Sequence, residues 1–481
     1  MIAKKLSILA AIALAICSCT RDELPSKDDN NTDPIVPEQP DKPDQPKEPK
    51  PDLAEGVAYV WDENVIPEIH ISMTEEEWNA LLKRYDENNN NSDYFHCDVR
   101  YVKGGEETVI PDAGLKLKGN TSRRRPEGNS GQAHVKNGAD WHHCHFTLNL
   151  RKYNKDNVHT IKGVRKMTLK WFKDDADYVR EMFCYDLFRR AGIWTAINDV
   201  YCRLWLHIEG DSREAYYGVY EMMEAVNDEY IKLRKDKFGV KDGNLWKCGT
   251  PANLNSVNTD FSIDNNDGRK HTYEYKGDAA NYDAALAQLK DFILKVGGKG
   301  PESFYNWIKT VCDTELLLKT YAVNVATGMW DDHWVNGNNF YLFFTTNDLY
   351  DYKVYFIPFD YDNTLGTSSI IDSGRQDPYN WGSQGALMNQ MMKHEEFRQI
   401  YKKALLELIN PENELFDKAS SQKRIRQWQE KIRPYVTNDT GEDCRIEDRP
   451  AYWGNHSEYR LLSDDNNFFT VKAESIRNMK D

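Results

Sequence analysis

The sequence predicts an α+β chain in two lobes, the first rich in strands and the second in helices. Three observations carry that prediction. Apolar residues alternate with period two in the first half, most cleanly over Val200–Ile208. Over Ala279–Val296 and Phe304–Val325, and again after Leu387, they recur at helical spacing. No internal repeat is visible, and strands precede helices in the order that marks α+β architecture.

The first residues set the compartment. Lys4 and Lys5 precede the apolar run Leu6–Ile16, which is too short to span a bilayer and has the size of a signal-peptide core. The order Ile16-Cys17-Ser18-Cys19 is that of a lipobox, so residues 1–18 are expected to be cleaved and the Cys19 thiol lipidated. The plainer reading is an ordinary signal peptide that contains cysteines. Two or three acyl chains anchor a protein stably where one does not. Asp22 and Glu23 resemble the export signal of lipoproteins on the outer face of Gram-negative cells. The expected location is therefore extracytoplasmic, as an outer-membrane lipoprotein facing the cell surface. Membrane contact is through the lipid alone, because no later run of about 18 apolar residues follows. Leu24–Pro51 is Pro, Asp, Lys, Asn and Gln, a composition that cannot bury enough surface to fold. Residues 19–55 are thus read as lipidated cysteine plus spacer. Residues 56–481 are read as the folded domain, strand-rich to about 250 and helical beyond.

Within that domain, Tyr59–Ile71 has strand character, and Thr74-Glu75-Glu76-Glu77 reads as a capping box ahead of a helix carrying Trp78, Leu81, Leu82 and Tyr85. Strands follow near Tyr94–Val102, Gly114–Lys118 and Phe146–Leu150. His134–His145 reads as an insertion between the last two. Tyr178–Arg190 is predicted as an amphipathic helix stopped by Gly192, and Val200–Ile208 pairs with Tyr216–Glu221 as a hairpin. Ala279–Val296 and Phe304–Val325 are predicted helices. A second hairpin runs Asn338–Thr345 and Tyr352–Pro358, and helices then continue to the end around an irregular stretch at Asn438–Asn455.

Net charge is −15, which argues against a nucleic-acid partner. The seven cysteines after Cys19 are scattered and form no C-x-x-C pair, which excludes a dense disulfide framework or zinc ribbon; one or two bridges stay open.

The densest chemical signal is Asp331-Asp332-His333-Trp334-Val335-Asn336-Gly337-Asn338-Asn339, followed by Pro358-Phe359-Asp360-Tyr361-Asp362. A hairpin turning near Asn347–Tyr350 would bring Asn339 and Asp360 together at its open end. Hard oxygen ligands on short side chains suit Mg2+, which keeps water and phosphate as its other ligands. Asp331 would orient or deprotonate a hydroxyl. The plainer reading is a polar loop closing a hairpin.

This region resembles the CotH family, in which an Asp, a polar loop and Asn-aromatic-Tyr-Leu precede a Pro-aromatic-Asp strand end. The resemblance implies an atypical protein-kinase-like fold, Asp331 as catalytic residue, and Asn339 and Asp360 as metal ligands. Asn336 fits the general kinase spacing and Asp362 is a second-choice ligand. Upstream, Leu115–Ser122 is similar to the family's R-G-N-x-S turn, with Lys118 in place of Arg. Asn120 and Ser122 are thereby implied to contact ATP. Met167–Lys170, Arg180 and Tyr217-Gly218-Val219-Tyr220 with Glu224 match further family segments, as does Gly243–Lys247. By the kinase pattern Lys170 and Glu224 form the ion pair that holds the phosphates. Arg180 is open between ligand contact and a structural salt bridge.

Trp141-His142-His143-Cys144-His145 stands where the family has a lysine-bearing run. Consecutive histidines on a strand point to opposite faces, so a solvated loop is expected rather than a Zn2+ or Cu2+ site. The resemblance implies ATP and Mg2+ or Mn2+ as cofactors and a protein Ser or Thr hydroxyl as acceptor. The alternative is an inactive surface binding or adhesion protein for glycan or protein ligands, and a glycoside hydrolase using Asp331 and Asp360 stands third.

Overall fold

The computed structural model describes residues 52–155, 159–263, 271–368, 370–450 and 458–480. All lie in one compact unit, Lys50–Asp481. The expected signal peptide, Cys19 and the spacer as far as residue 51 lie outside the described residues.

Asp52 accepts the Ala54 N–H and starts helix α1 (Leu53–Val60), where the sequence predicted strand from Tyr59. The helix lies against backbone: a Cβ on Gly56 would sit 1.7 Å from the Lys162 carbonyl oxygen, so only glycine fits there. Strand structure begins after Pro67 with β1 (Glu68–Met73). Thr74 then caps α2 (Glu75–Glu87) by accepting the Glu77 N–H at 3.2 Å. β2 (Phe95–Lys103), β3 (Glu106–Lys118), β4 (His145–Asn149) and β5 (Lys166–Lys170) follow, then α3 (Arg180–Arg190), β6 (Asp199–Ile208) and β7 (Ala215–Glu224). These seven strands close into a barrel in the order β1-β2-β3-β4-β5-β7-β6, completed by parallel pairing of β6 with β1. Closure leaves no open edge. The alternation in β6 sends Val200, Cys202, Leu204, Leu206 and Ile208 into the barrel core with Trp78 of α2, while Tyr201 packs into a second core.

That second core belongs to α4 (Asp228–Leu233), α5 (Lys235–Phe238), β8 (Asn244–Cys248), β9 (Phe261–Ile263), β10 (Tyr273–Tyr275), α6 (Tyr282–Gly298), α7 (Pro301–Val311), α8 (Thr314–Ala326), β11 (Phe340–Phe344) and β12 (Val354–Pro358). It is completed by α9 (Ala386–Met391), α10 (Glu395–Ile409), α11 (Lys418–Ile432) and α12 (Phe468–Arg477). Its sheet runs β12-β11-β8-β10-β9. The mixed α+β class and the strand-then-helix order are as expected. The barrel ends with β7, and the second sheet begins with β8. The helix expected over Phe304–Val325 is two helices, because Asp313 accepts the Leu316 N–H and starts a new one. α3 is buried on all sides over Arg180–Phe188, so the amphipathic reading fails: it is packed between barrel and helices.

The solvated loop expected at His134–His145 is also corrected. His134, Trp141, His143, Cys144 and His145 are each at most 8% exposed. Each buried histidine has its own partner: His134 bonds Glu127 at 2.9 Å, His143 bonds Glu442 at 2.5 Å, and His145 accepts the Trp171 N–H at 3.1 Å. Among the described residues the seven cysteines are all free thiols, and no helix is long and apolar enough to cross a membrane.

Candidate active site

The site forms where β5, α3 and the two ends of the β11–β12 hairpin meet. β5 ends on Lys170, which is 5% exposed. Its ammonium donates to Glu181 in the first turn of α3, to Asp360 at 2.6 Å, and lies 3.3 Å from Asp362. Two backbone bonds hold this arrangement. The Asp360 N–H donates to the Tyr185 hydroxyl and the Tyr361 N–H to Glu181, both at 2.9 Å. Asp360 and Asn339 both take left-handed backbone conformations, φ +63° and +57°, at opposite ends of the hairpin. Such geometry costs energy in non-glycine residues and concentrates at functional sites.

Register places Phe340 opposite Pro358, so the two sides of the hairpin do meet at its open end. Asp331 lies there. Its carboxylate accepts the side-chain amides of Asn336 at 2.6 Å, of Asn338 at 3.1 Å and of Asn339 at 3.1 Å. The Asn338 oxygen in turn accepts the Thr250 N–H at 3.0 Å, which commits that side chain to the loop and leaves Asn336 and Asn339 as the amide candidates. The neighbouring Asp332 instead accepts the Val335 N–H at 2.8 Å within its own loop.

Charge is unevenly distributed across this cluster. Burial pushes Asp331 up to about 6; the Asn336 and Asn338 amides oppose that rise, and the charges of Asp360 and Asp362 add to it. Burial would also raise Asp360, but Lys170 and Lys118 overrule it and hold the carboxyl well below the usual range. Glu181 is raised to about 7 by burial, against the pull of Lys170. Burial lowers Lys118 to about 8, against the attraction of Asp360. Lys118 from the barrel and Lys247 from β8 reach over the Phe359 ring, 5.2 and 5.7 Å from its centre. Cations from two separate sheets thus converge beside Asp360.

Lys170 does not pair with Glu224, as the kinase pattern had implied. Glu224 lies opposite Met167, at the far end of β5, and accepts both arms of Arg234 at 2.8 Å. The residue opposite Lys170 is Glu221, and the one bonded to it is Glu181. Sequence reasoning missed Glu181, although it stands beside Arg180, which the reading singled out. Arg180 itself is 1% exposed and pairs with Asp175 and with Asp177 at 3.2 Å, the structural salt bridge. Asn120 and Ser122 sit on the turn that follows Lys118. Gly119 makes that turn at φ +114°, and a Cβ there would lie 2.8 Å from the Ser122 hydroxyl.

The carboxylate oxygens of Glu181, Asp360 and Asp362 lie within 4.8 Å of one another. Three hard oxygen donors at that separation fit a divalent cation of the Mg2+ type. Lys170 is the positive charge among them.

The family model described as CotH kinase protein matches residues 125–462. The chain belongs to the CotH family. The CotH match takes in β4 to β12, and with them Lys170, Glu181, Asp331, Asn339 and Asp360. It leaves the Lys118–Ser122 turn upstream of its first residue. No curated protein matches this CotH chain significantly.

Proposed function

We propose that this CotH protein is an atypical protein kinase that transfers the ATP γ-phosphoryl group to protein Ser or Thr hydroxyls. One observation carries the reading: a buried lysine at a strand end bonds both a helix glutamate and the aspartate that follows a hairpin, with a second aspartate at the hairpin's other end. That is the kinase arrangement of Lys–Glu pair, metal aspartate and catalytic aspartate. Glu181 takes the glutamate's place here.

In this reading Asp331 accepts the proton of the acceptor hydroxyl. Its three amide partners fix its orientation, and a carboxyl near pH 6 is ionised at neutral pH and still basic enough to take a proton. Lys170, Lys118 and Lys247 bind and orient the phosphates. Asp360, with Asp362 and either Asn339 or Asn336, would hold Mg2+ or Mn2+. The metal, when bound, neutralises charge on the transferring phosphoryl group. The lipobox-like Ile16–Cys19 and the spacer behind it support a protein tethered outside the cytoplasm by lipid on Cys19, on the cell surface.

The unit Lys50–Asp481, incubated with labelled ATP, Mg2+ or Mn2+ and a generic protein acceptor, tests this. Transfer should be lost in both Asp331→Ala and Asp360→Ala. No transfer by the wild type, with no metal-dependent stabilisation by ATP in a melt, would leave a binding protein on this scaffold.

A further inference from the structure

Asp331 and Asp360 flank the β11–β12 hairpin, and beneath it their two segments are joined a second time, through the end of α8. The chain neighbours Asp332 and Tyr361 are buried, 2% and 1% exposed. Asn324, in the last turn of α8 and equally buried, connects them. Its side-chain oxygen accepts the Tyr361 hydroxyl, and its side-chain nitrogen donates to the Asp332 carboxylate at 3.4 Å. Asp332 in turn shapes the loop beside Asp331. Its carboxylate accepts the Val335 N–H at 2.8 Å, and its main-chain carbonyl accepts those of Asn336 and Asn338 at 3.0 and 3.1 Å. From that loop Asn336 and Asn338 reach the Asp331 carboxylate. On the other side, the Tyr361 ring packs edge-on against Tyr185 and Phe188 of α3, with centres 5.5 and 5.0 Å apart. We propose that Asn324 is a positioning residue, which fixes Asp331 against Asp360 by tying Asp332 to Tyr361. The inference rests on the roles proposed above for those two aspartates.

The chemistry selects asparagine. The linking side chain must accept a hydrogen bond at one end and donate one at the other, and a short amide does both. Aspartate would set a second carboxylate against Asp332, and leucine would leave a buried hydroxyl and a buried carboxylate oxygen without it. Buried polar groups are costly unless paired, and a paired network fixes one arrangement where apolar contacts tolerate several. That constraint matters at this place. The hairpin alone joins the two aspartates through its open end, whereas group transfer depends on their separation. A displacement of about 1 Å can slow such a step by about a hundredfold. Asn324 touches neither aspartate, so its effect passes through Asp332 and Tyr361.

The test combines kinetics with amide hydrogen exchange on the Lys50–Asp481 unit, for wild type, Tyr361→Phe, Asn324→Ala and the double variant. Tyr361→Phe keeps the ring and removes only the hydroxyl. It should lower kcat by about tenfold or more and leave KM for ATP within about threefold, because the phosphate-binding lysines are untouched. It should also speed exchange at residues 335–338, across the linkage from the substitution. The double variant should be no slower than Asn324→Ala, since both changes break one linkage. An unchanged kcat in Tyr361→Phe, or losses that add in the double variant, would overturn the positioning role. So would a loss of kcat with faster exchange throughout α8 to α12, the mark of general destabilisation. Tyr361→Phe decides the matter even where Asn324→Ala does not fold. No transfer by the wild type would overturn the kinase reading instead and leave exchange to judge the linkage: faster at 335–338 in Tyr361→Phe upholds it, and unchanged exchange there overturns it.

Discussion

Lys472 shows how far a single residue can depart from what its type suggests. It lies on the buried side of α12 with Phe468, Phe469 and Ile476, fully inaccessible, its ammonium 4.6 Å from the centre of the Trp381 ring. Its nitrogen has no hydrogen-bond partner. Burial lowers it from 10.5 to about 7, against the attraction of Asp372. The unfolded chain therefore holds this proton more tightly than the folded one. The penalty is full below about pH 7 and is relieved as pH rises towards 10.5, so stability from this group rises with pH across that window. Lys472→Met should stabilise the fold by about 1–4 kcal/mol at neutral pH and flatten that slope. Melts of both proteins between pH 7 and 10 measure it; an unchanged or lower midpoint would contradict the account. Nothing in the sequence marks this lysine. A period-3.6 pattern identifies the apolar side of a helix, and a charged residue there is normally taken for the boundary of that side. Asp331 and Asp360 stand out in the sequence because they flank a predicted hairpin, although a polar loop closing that hairpin has the same composition.

At the level of elements, α3 explains both a success and an error. The sequence located the helix to within two residues and placed a lysine on the strand before it. It could not show that the helix is buried all round, because a helix between two packed layers needs no polar side. Nor could it choose between Glu181 and Glu224, since that depends on strand register: only the pairing of β5 with β7 reveals that Glu224 faces Met167. The two glutamates now make opposite predictions. Glu181→Gln removes a charge-assisted contact inside the site and should lower kcat/KM for ATP by on the order of tenfold or more. Glu224→Gln weakens the two bonds to the half-buried Arg234 and should cost about 1–3 kcal/mol of stability while leaving kcat/KM near the wild-type value. Steady-state kinetics with a melt of each variant separates them, and the reverse pattern would restore the Glu224 pairing.

For the whole molecule, the question is what ties the barrel to the helices around a site that draws residues from both. Residues 438–448 do so as an irregular clasp. Asn438 donates to the His143 ring at 2.8 Å, and the Asp439 N–H donates to the Tyr216 carbonyl at 2.8 Å. Glu442 pairs with Arg124 and accepts the His143 N–H at 3.0 Å. Asp448 at the other end accepts the Leu461 and Ser463 N–H groups ahead of α12, at 2.9 and 2.7 Å. His143, within the Trp141–His145 run, is thus held by a later irregular segment, which is why neither was interpretable alone. His143 also stacks on Trp171 at 5.1 Å, one residue from Lys170. Irregular segments held by a few polar bonds open more easily than packed helices. Glu442→Ala should therefore speed amide hydrogen exchange together at residues 438–446 and 143–145, two stretches about 300 positions apart in the chain. The helices α6 to α8, which the clasp does not touch, should exchange as in the wild type. Faster exchange in all of these at once would mean that Glu442 supports the fold generally, whereas faster exchange confined to the two stretches identifies a local clasp beside Lys170.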